Sequence, residues 1–153
     1  ITGLRVLLLG AGGAARGLLK PLLDEKPAAL TLSNRNPWKP EELALAFKSY
    51  GEIRPATHLS LKGDLFDLVI NATSAGHGGQ AVKIAFPVLA AGGACYDLSY
   101  GKAHDPFAAW AKTQGATRIA DGLGMLVEQA AGSFERWHHR RPETARVIAA
   151  LRA

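Results

Sequence analysis

The sequence predicts an α/β fold in which a mostly parallel sheet carries helices on both faces. Short apolar segments of strand length alternate along the chain with longer segments of helical composition, as in strand–helix–strand units. The first of these, Leu4–Leu9, is mostly apolar and ends in glycines, which is typical of a strand buried on both faces. With 153 residues, 48% of them hydrophobic and 20% charged, the chain can bury the core of one globular domain.

In the first half of the chain, the elements are predicted from their composition and from the residues that end them. The Ala- and Leu-rich segment Gly13–Leu23 predicts a helix that closes on polar residues. A second helix begins at Pro40 and continues to Tyr50, because proline and acidic residues suit a first turn and Gly51 suits a stop. The strands predicted here are Leu4–Leu9, Ala29–Ser33, the weaker Ile53–Leu59 and the strong Leu65–Asn71.

The second half continues the alternation. A small-residue loop, Ala72–Gly79, follows the fourth strand, and Phe86–Ala91 predicts a short helix or turn. The last long helix is supported by apolar residues at helical spacing between Leu123 and Trp137. The remaining strands are Ala94–Leu98 and Thr117–Ala120, and the remaining helices are Pro106–Gln114, Gly122–Trp137 and Pro142–Arg152.

Charge and hydropathy limit the classes of partner. The chain has 18 basic and 13 acidic side chains, a net charge of +5, which favours an anionic partner such as nucleic acid, a membrane surface or a phosphorylated small molecule. The basic residues are scattered and lack an aromatic-lined stripe, which argues against nucleic acid. No stretch approaches the roughly 20 apolar residues that a membrane span needs.

Single residues bear on location and metal binding. Cys95 is the only cysteine, which excludes an internal disulfide framework and predicts a reducing, cytoplasmic environment. The only methionine is Met125 and the sequence opens directly into a strand pattern, so we expect a piece of a longer protein or a processed chain. His138 and His139 are adjacent and do not share a helix face, so we expect no metal site there.

A glycine-rich loop after the first strand predicts a phosphate site. The segment Gly10–Ala15 has the pattern G-x-G-x-x-A between a strand and a helix. The first glycine permits a tight turn, the second lets backbone approach a pyrophosphate, and Ala15 lets helix and strand pack closely. The helix N-terminus adds N–H donors and partial positive charge. This context favours dinucleotide binding on a Rossmann-like, doubly wound sheet, with the nucleoside of S-adenosylmethionine as a rival ligand and a plain tight turn as the structural alternative.

The end of the second strand favours NADP. NAD-binding domains place an acid there that accepts hydrogen bonds from the ribose 2′-hydroxyl, whereas here Asn34 and Arg35 follow, with Lys39 nearby and no acid before Glu41. Arg35 can pair with a 2′-phosphate and Lys39 can add a second positive charge. A solvated Arg–Lys pair is the alternative. The missing acid also disfavours a methyltransferase.

Three later motifs complete a family pattern. They are Ile70–Gly76 after the fourth strand, Tyr96–Tyr100 after the fifth, and Asp121–Ala131 at the start of the late helix. Together with the glycine loop and Asn34-Arg35, these motifs closely resemble the C-terminal NADP-binding domain of the shikimate dehydrogenase family. The resemblance covers essentially the whole chain. It implies the reversible, NADPH-dependent reduction of 3-dehydroshikimate to shikimate, in the pathway to aromatic amino acids.

The resemblance also implies roles for individual residues. The pyrophosphate would be held by Gly10, Ala11, Gly12, Gly13 and Ala14, and the adenosine 2′-phosphate by Asn34, Arg35 and Lys39. Thr73 and Ser74 would border the cofactor, the main chain near Leu98 and Gly122 would face the nicotinamide, and Tyr100 and Gln129 would reach the substrate. Asn36 stands where a threonine commonly follows Asn-Arg, and Leu98 where a methionine is frequent.

The family's acid–base pair, a lysine and an aspartate, belongs to an N-terminal substrate domain that would precede Ile1. No pair in this chain matches that motif, so we assign no catalytic residue and expect the isolated chain to be inactive. The expected organisation is an NADP-binding domain over residues 1–121 and a helical segment over residues 122–153 that would pack toward the absent domain. The substrate would be shared with that domain.

Two alternatives and one assembly expectation complete the sequence-based prediction. The alternatives are a quinate/shikimate dehydrogenase that uses NAD, and a non-catalytic NADP-binding module. In the resembled family the late helix crosses back to the substrate domain. Without that cover, Met125, Phe134 and Trp137 would form an apolar patch, which predicts a homo-oligomer with this helix at the contact.

Overall fold

The computed structural model describes residues 1–152, which form six strands and five α-helices. The strands are β1 (Arg5–Leu9), β2 (Ala29–Asn34), β3 (Arg54–Thr57), β4 (Phe66–Asn71), β5 (Leu89–Asp97) and β6 (Arg118–Ala120). The helices are α1 (Gly13–Asp24), α2 (Trp38–Ala46), α3 (Asp105–Thr113), α4 (Leu123–His138) and α5 (Ala145–Arg152). Three short 3₁₀ turns cover Leu59–Leu61, Ala75–Gly78 and Gly101–Ala103.

All six strands belong to one parallel sheet, in the order β3-β2-β1-β4-β5-β6. The chain moves outward from β1 to β3, crosses back to β4 on the other side of β1, and moves outward again. This order confirms the predicted doubly wound, Rossmann-like α/β fold. In such sheets ligands bind at the carboxyl ends of the strands, where the winding direction changes. Here that point lies between β1 and β4.

The core lies on both faces of β1. Leu7 and Leu9 pack into one cluster that includes Phe107 and Trp110 of α3. Val6 and Leu8, which alternate with them, pack into a second cluster with residues of α1 and β2. All four of these β1 side chains have 0% exposure. Full burial of such a side chain contributes about 1.5–3 kcal/mol, so β1 anchors both layers.

The structure corrects several predicted elements, among them the second helix, which ends at Ala46 and not at Tyr50. Phe86–Ala91 does not form a short helix or turn, because β5 begins at Leu89. Leu89 already pairs with Phe66 of β4. Residues 90–93, Ala-Ala-Gly-Gly, have little strand propensity and lie in an irregularity of register before pairing resumes between Ala94 and Leu68. Strand β3 is shorter than the predicted Ile53–Leu59 and ends at Thr57. That shortening places His58 beyond the strand end, among the residues that face a ligand cleft.

The longest helix of the described part of the chain is α4, with 16 residues. None of the helices formed by residues 1–152 combines the length and the apolar composition that crossing a bilayer requires.

Candidate functional site

A cleft of about 570 Å³ opens at the carboxyl ends of the central strands. It is lined by residues 10–14 after β1, 34–35 after β2, His58 after β3, 72–75 after β4, and part of the loop that includes residues 80–83. Nine of the predicted cofactor-binding residues meet here. These are Gly10, Ala11, Gly12, Gly13, Ala14, Asn34, Arg35, Thr73 and Ser74.

Gly10 and Gly12 of the glycine loop are glycines for different reasons. Gly10 has a φ of +102°, and a Cβ at this position would lie 2.8 Å from the carbonyl oxygen of Ala72. Gly10 is therefore required by the fold. A Cβ on Gly12 would meet no atom within 4 Å, so packing within the chain does not require a glycine there. The open space beside Gly12 lets a ligand approach the backbone closely.

The N-terminus of α1 is an anion-binding end. The helix begins at Gly13, no side chain caps it, and its first turn contains no acidic residue. Its first N–H groups therefore lack intrahelical partners and carry the partial positive charge of the helix dipole. With Gly12 and Gly13 lining the cleft beside them, these donors are suited to a phosphate group.

The β2 end of the cleft is positively charged. Arg35 lines the cleft, is exposed, and makes no ion pair within residues 1–152. Asn34 donates a long hydrogen bond (3.4 Å) from Nδ2 to the carbonyl oxygen of Asn36. Among the described residues, the Oδ1 atom of Asn36 is buried without a hydrogen-bond partner. Lys39 lies outside the cleft lining, and its Nζ is 5.7 Å from the centroid of the Trp38 ring.

His58 and Lys83 also line the cleft, and the sequence analysis did not identify either. The strand signal ran through His58 to Leu59, so the residue was placed inside β3 and not after it. Lys83 lies in a loop without a recognisable motif. The only signal for it was an isolated positive charge. The cleft lining contains the basic side chains of Arg35 and Lys83 and no acidic side chain.

Beside the cleft, a buried polar network ties the end of β4 to the end of β5. Asn71 donates from Nδ2 to Oδ1 of Asp97 at 2.9 Å, and its own Oδ1 accepts from the N–H and the hydroxyl of Thr73. The fully buried Asp97 also accepts from the N–H of Ser99, and its Oδ2 lies 3.1 Å from Nδ1 of His104. The two hydrogen bonds to Asn71 therefore hold Thr73, which lines the cleft, in one orientation.

Leu98 and Gly122 lie together, outside the cleft lining. The N–H of Leu98 donates to the carbonyl oxygen of Asn71, and that of Gly122 to the carbonyl oxygen of Ser99. A Cβ on Gly122 would clash with the carbonyl oxygen of Leu98, so α4 can begin this close to the β5 end only because residue 122 is glycine. The predicted nicotinamide-facing backbone is compact and connected through Asn71 to the cleft.

The two predicted substrate-binding residues are not gathered into the cleft. Tyr100 is 47% exposed and lies just before a 3₁₀ turn, while Gln129 is exposed on α4. Neither side chain has a hydrogen-bond partner among residues 1–152. Their polar groups are thus available to a ligand or another domain.

The polar groups that line the cleft are suited to an anionic ligand, and the one cysteine lies outside the lining. Burial raises the pKa of the Cys95 thiol to about 11, so this thiol stays protonated and is a poor nucleophile at neutral pH. Within the described residues, no three His, Cys, Asp or Glu side chains are grouped so as to hold a metal ion. Backbone N–H donors at one position and Arg35 at another suit a ligand with two separate anionic groups.

Comparison with known proteins supports these observations. The sequence model of the shikimate / quinate 5-dehydrogenase family matches residues 1–78, and that of the shikimate 5′-dehydrogenase C-terminal domain matches residues 122–152. The NADP(+) shikimate dehydrogenases of Nitrosospira multiformis and Aromatoleum aromaticum are 50% and 52% identical, over 149 and 151 residues. Each alignment covers 97% of this chain and 54% of the relative, so the chain spans about half the length of these curated relatives.

A solved structure agrees. The crystal structure of an Ael1 enzyme from Pseudomonas putida superposes with a TM-score of 0.84 at 42% sequence identity, over 98% of this chain and 55% of that chain. One family model covers just over half of the sequence, and the fold and the strand-end motifs agree with it. The chain belongs to the shikimate / quinate 5-dehydrogenase family.

Proposed function

We propose that this chain is the NADP-binding part of a shikimate dehydrogenase, which interconverts 3-dehydroshikimate and shikimate. The observation that carries the proposal is the charge of the cleft. A glycine loop and a helix N-terminus offer one anion site, and Arg35 offers a second. No acidic side chain lines the cleft that could accept a hydrogen bond from a ribose 2′-hydroxyl. The names of the relatives, which specify NADP(+), support the same cofactor.

The residues present fit this cofactor. The open space beside Gly12 leaves the backbone accessible to a pyrophosphate, held by residues 10–14. Asn34, Arg35 and Lys39 hold the adenosine 2′-phosphate. Lys39 is exposed and close to this turn, so its flexible side chain can approach the phosphate. Hydrogen bonds to charged groups contribute about 1.5–3 kcal/mol each, so two of them favour NADP over NAD by roughly a hundredfold or more.

In this proposal the nicotinamide end of the cofactor lies beside the buried hydrogen-bond network of Asn71 and Asp97. Thr73 and Ser74 border it, and the backbone at Leu98 and Gly122 faces the nicotinamide. Bound NADPH supplies the hydride that reduces the ketone. Tyr100 and Gln129 donate hydrogen bonds to the hydroxyl and carboxylate groups of the substrate, for which a phenol and an amide are suitable neutral partners.

Catalysis requires residues outside these 153. In this proposal a lysine and an aspartate of an N-terminal domain move the proton, while residues 1–121 hold the cofactor and residues 122–153 pack toward that domain. A positioned acid is typically worth 10²–10⁴-fold, and holding the substrate against the nicotinamide is a separate effect. The chain alone therefore binds cofactor and turns over shikimate negligibly. A cytoplasmic location belongs to this proposal and rests on the single, buried cysteine.

Calorimetric titration tests the cofactor. The wild-type chain is expected to bind NADPH at least about a hundredfold more tightly than NADH, and Arg35→Asp to reverse or abolish the preference. Arg136→Asp changes the same charge on the exposed surface of α4 and is the matched control. Equal affinity of the wild type for both nucleotides contradicts the NADP assignment and favours the NAD-using alternative. Turnover of shikimate by the chain alone at an ordinary enzyme rate, about 1–10³ per second, contradicts the proposal that the acid–base residues lie outside these 153 residues.

Self-association also belongs to the proposal. Trp137 is 74% exposed on α4, and Leu126 on the same helix is also exposed, whereas Met125 and Phe134 are partly buried. Helix α5 adds exposed apolar side chains, including that of Leu151. Exposed apolar side chains on α4 and α5 favour association when they form one patch, so sedimentation at high concentration should show a dimer or a larger species. A strictly monomeric profile contradicts this part of the proposal.

A further inference from the structure

His58 lies beside Arg35 at the ends of two paired strands. Asn34, the last residue of β2, is the register partner of Thr57, the last residue of β3. Arg35 and His58 are therefore the next residues beyond the same pair, on strands that run about 4.8 Å apart. Both line the cleft. The side chain of His58 is partly buried, whereas that of Arg35 is exposed.

One nitrogen of the His58 ring is hydrogen-bonded to a residue of strand β2. Nδ1 lies 2.9 Å from the hydroxyl oxygen of Ser33, which is fully buried. Among the described residues, Nδ1 is the only hydrogen-bond partner of this hydroxyl, so the hydroxyl is satisfied as a donor when Nδ1 accepts. Nδ1 as acceptor places the ring proton on Nε2, which has no hydrogen-bond partner within residues 1–152.

The surroundings of the His58 ring in the free chain favour its neutral form. Burial and, to a smaller extent, the charge of Arg35 lower the pKa of His58 below its ordinary value. The neutral Nε2–H tautomer is a donor fixed in orientation by Ser33. Beside it stands the Arg35 guanidinium, which can only donate. Two adjacent groups that donate, with no acid in the cleft lining, form a site for an anionic acceptor.

We propose that His58 donates a hydrogen bond from Nε2 to the adenosine 2′-phosphate of NADP, and so determines cofactor specificity together with Arg35. This inference rests on the proposed function, because it requires NADP in this cleft. Ser33 is a positioning residue that holds the ring in its donating tautomer. NAD lacks the phosphate and gains nothing from this donor.

The test measures the affinity of the 153-residue chain for NADP⁺ and NAD⁺ by calorimetry. One hydrogen bond to a charged group corresponds to roughly a tenfold to hundredfold change in affinity. His58→Ala should lose about that factor for NADP⁺ and change NAD⁺ binding less than about twofold. His58→Gln retains an N–H donor at the Nε2 position and should recover most of the loss. His138→Ala, on α4 and outside the cleft lining, is the control.

Nitrogen-15 NMR of His58 provides a readout that does not depend on the variants. The free chain should show the neutral Nε2–H tautomer, and adenosine 2′-phosphate should shift Nε2 where adenosine does not. Ser33→Ala should populate the other tautomer and lower NADP⁺ affinity without affecting NAD⁺. A thermal unfolding curve without nucleotide establishes that each variant is folded.

The possible failures are distinguishable. Wild-type chain that binds neither nucleotide overturns the proposed function and this inference with it. Normal NADP⁺ preference in the wild type with an unchanged preference in folded His58→Ala overturns the inference alone. Equal loss of both nucleotides in His58→Ala, rescued or not by glutamine, also overturns it, because His58 would then contact the adenine and not the phosphate.

Discussion

The two ends of the candidate cofactor site are built differently. At the β1–β3 end, the glycine loop, Arg35 and His58 all face one cleft, and each comes directly after a strand. At the β5–α4 end, Leu98 and Gly122 pack against each other, while Tyr100 and Gln129 project from the surface. The first end gathers its candidate binding residues around one cleft. The second presents a rigid backbone and exposed side chains, which suits a site that another domain completes.

The difference also shows in what makes each end rigid. The β1–β3 end depends on the backbone, through the positive φ of Gly10 and the start of α1. The β5–α4 end depends on side chains, through the buried pair of Asn71 and Asp97. Substitutions should therefore separate the two ends: some alter binding and leave stability intact, and others do the reverse.

The largest expected effect is on stability, at the β5–α4 end. Asp97→Ala leaves Asn71, the N–H of Ser99 and His104 without their buried acceptor. Loss of such a partner costs about 3–5 kcal/mol of unfolding free energy. Denaturant unfolding measures it. Asp97→Asn keeps one acceptor oxygen and should cost clearly less. A loss below about 1 kcal/mol for Asp97→Ala would show that the network does not support this end.

The next effect is on binding, at the β1–β3 end. Gly12→Ala adds a methyl group in open space at an extended φ of −96°, so stability should change by less than about 1 kcal/mol. The methyl group obstructs the pyrophosphate, and NADP⁺ and NAD⁺ should both bind at least about tenfold more weakly, which is 1.4 kcal/mol. Calorimetry of both nucleotides checks the result.

Gly10→Ala is the matched contrast for Gly12→Ala. Its positive φ and its close contact with Ala72 predict about 1–3 kcal/mol of destabilisation before any ligand is added. If Gly10→Ala and Gly12→Ala proved equally stable, the distinction between a glycine required by the fold and one required by the ligand would be wrong.

A smaller effect is expected on the pH dependence of stability, at the Arg5–Asp67 ion pair, which lies outside both ends of the candidate cofactor site. At the amino ends of the central strands β1 and β4, Arg5 makes two side-chain hydrogen bonds and one backbone hydrogen bond to Asp67. These bonds lower the pKa of Asp67 from 3.8 to about 2. Because the folded-state pKa is depressed, the stabilisation is present above pH 3.8 and is lost as pH falls toward 2. Asp67→Asn should flatten this part of a stability–pH curve, and an unchanged slope would contradict the assignment.

The smallest effect is expected at the exposed side chains of the β5–α4 end. Tyr100→Phe and Gln129→Ala change exposed residues outside the cleft lining, so stability should change by less than about 0.5 kcal/mol and NADP⁺ affinity by less than about twofold. Calorimetry and denaturant unfolding measure both. A tenfold loss of NADP⁺ affinity in either variant would indicate that the residue binds the cofactor and not the substrate.

Local signals predicted the β1–β3 end, and tertiary contacts explain what was missed. The glycine loop and Arg35 could be identified because their chemistry is contained in a few consecutive residues after a clear strand. His58 was missed because β3 is a weak strand whose end depends on its pairing with β2. The start of β5 was missed because its first pairing with β4, between Leu89 and Phe66, is followed by residues 90–93, an Ala- and Gly-rich stretch without a local strand signal. The Asn71–Asp97 contact joins residues 26 positions apart, and no local pattern contains it.

The central place of β1 in the sheet affects how the chain folds. β1 pairs with β2, which follows after one helix, but its other edge waits for β4, and the Arg5–Asp67 contact there spans 62 residues. Until β4 arrives, one edge of the most apolar strand is unpaired. Long-range pairing of this kind slows folding, and unpaired apolar edges promote aggregation. The strand that contributes fully buried side chains to both core clusters thus keeps one edge unpaired until β4 has been synthesised.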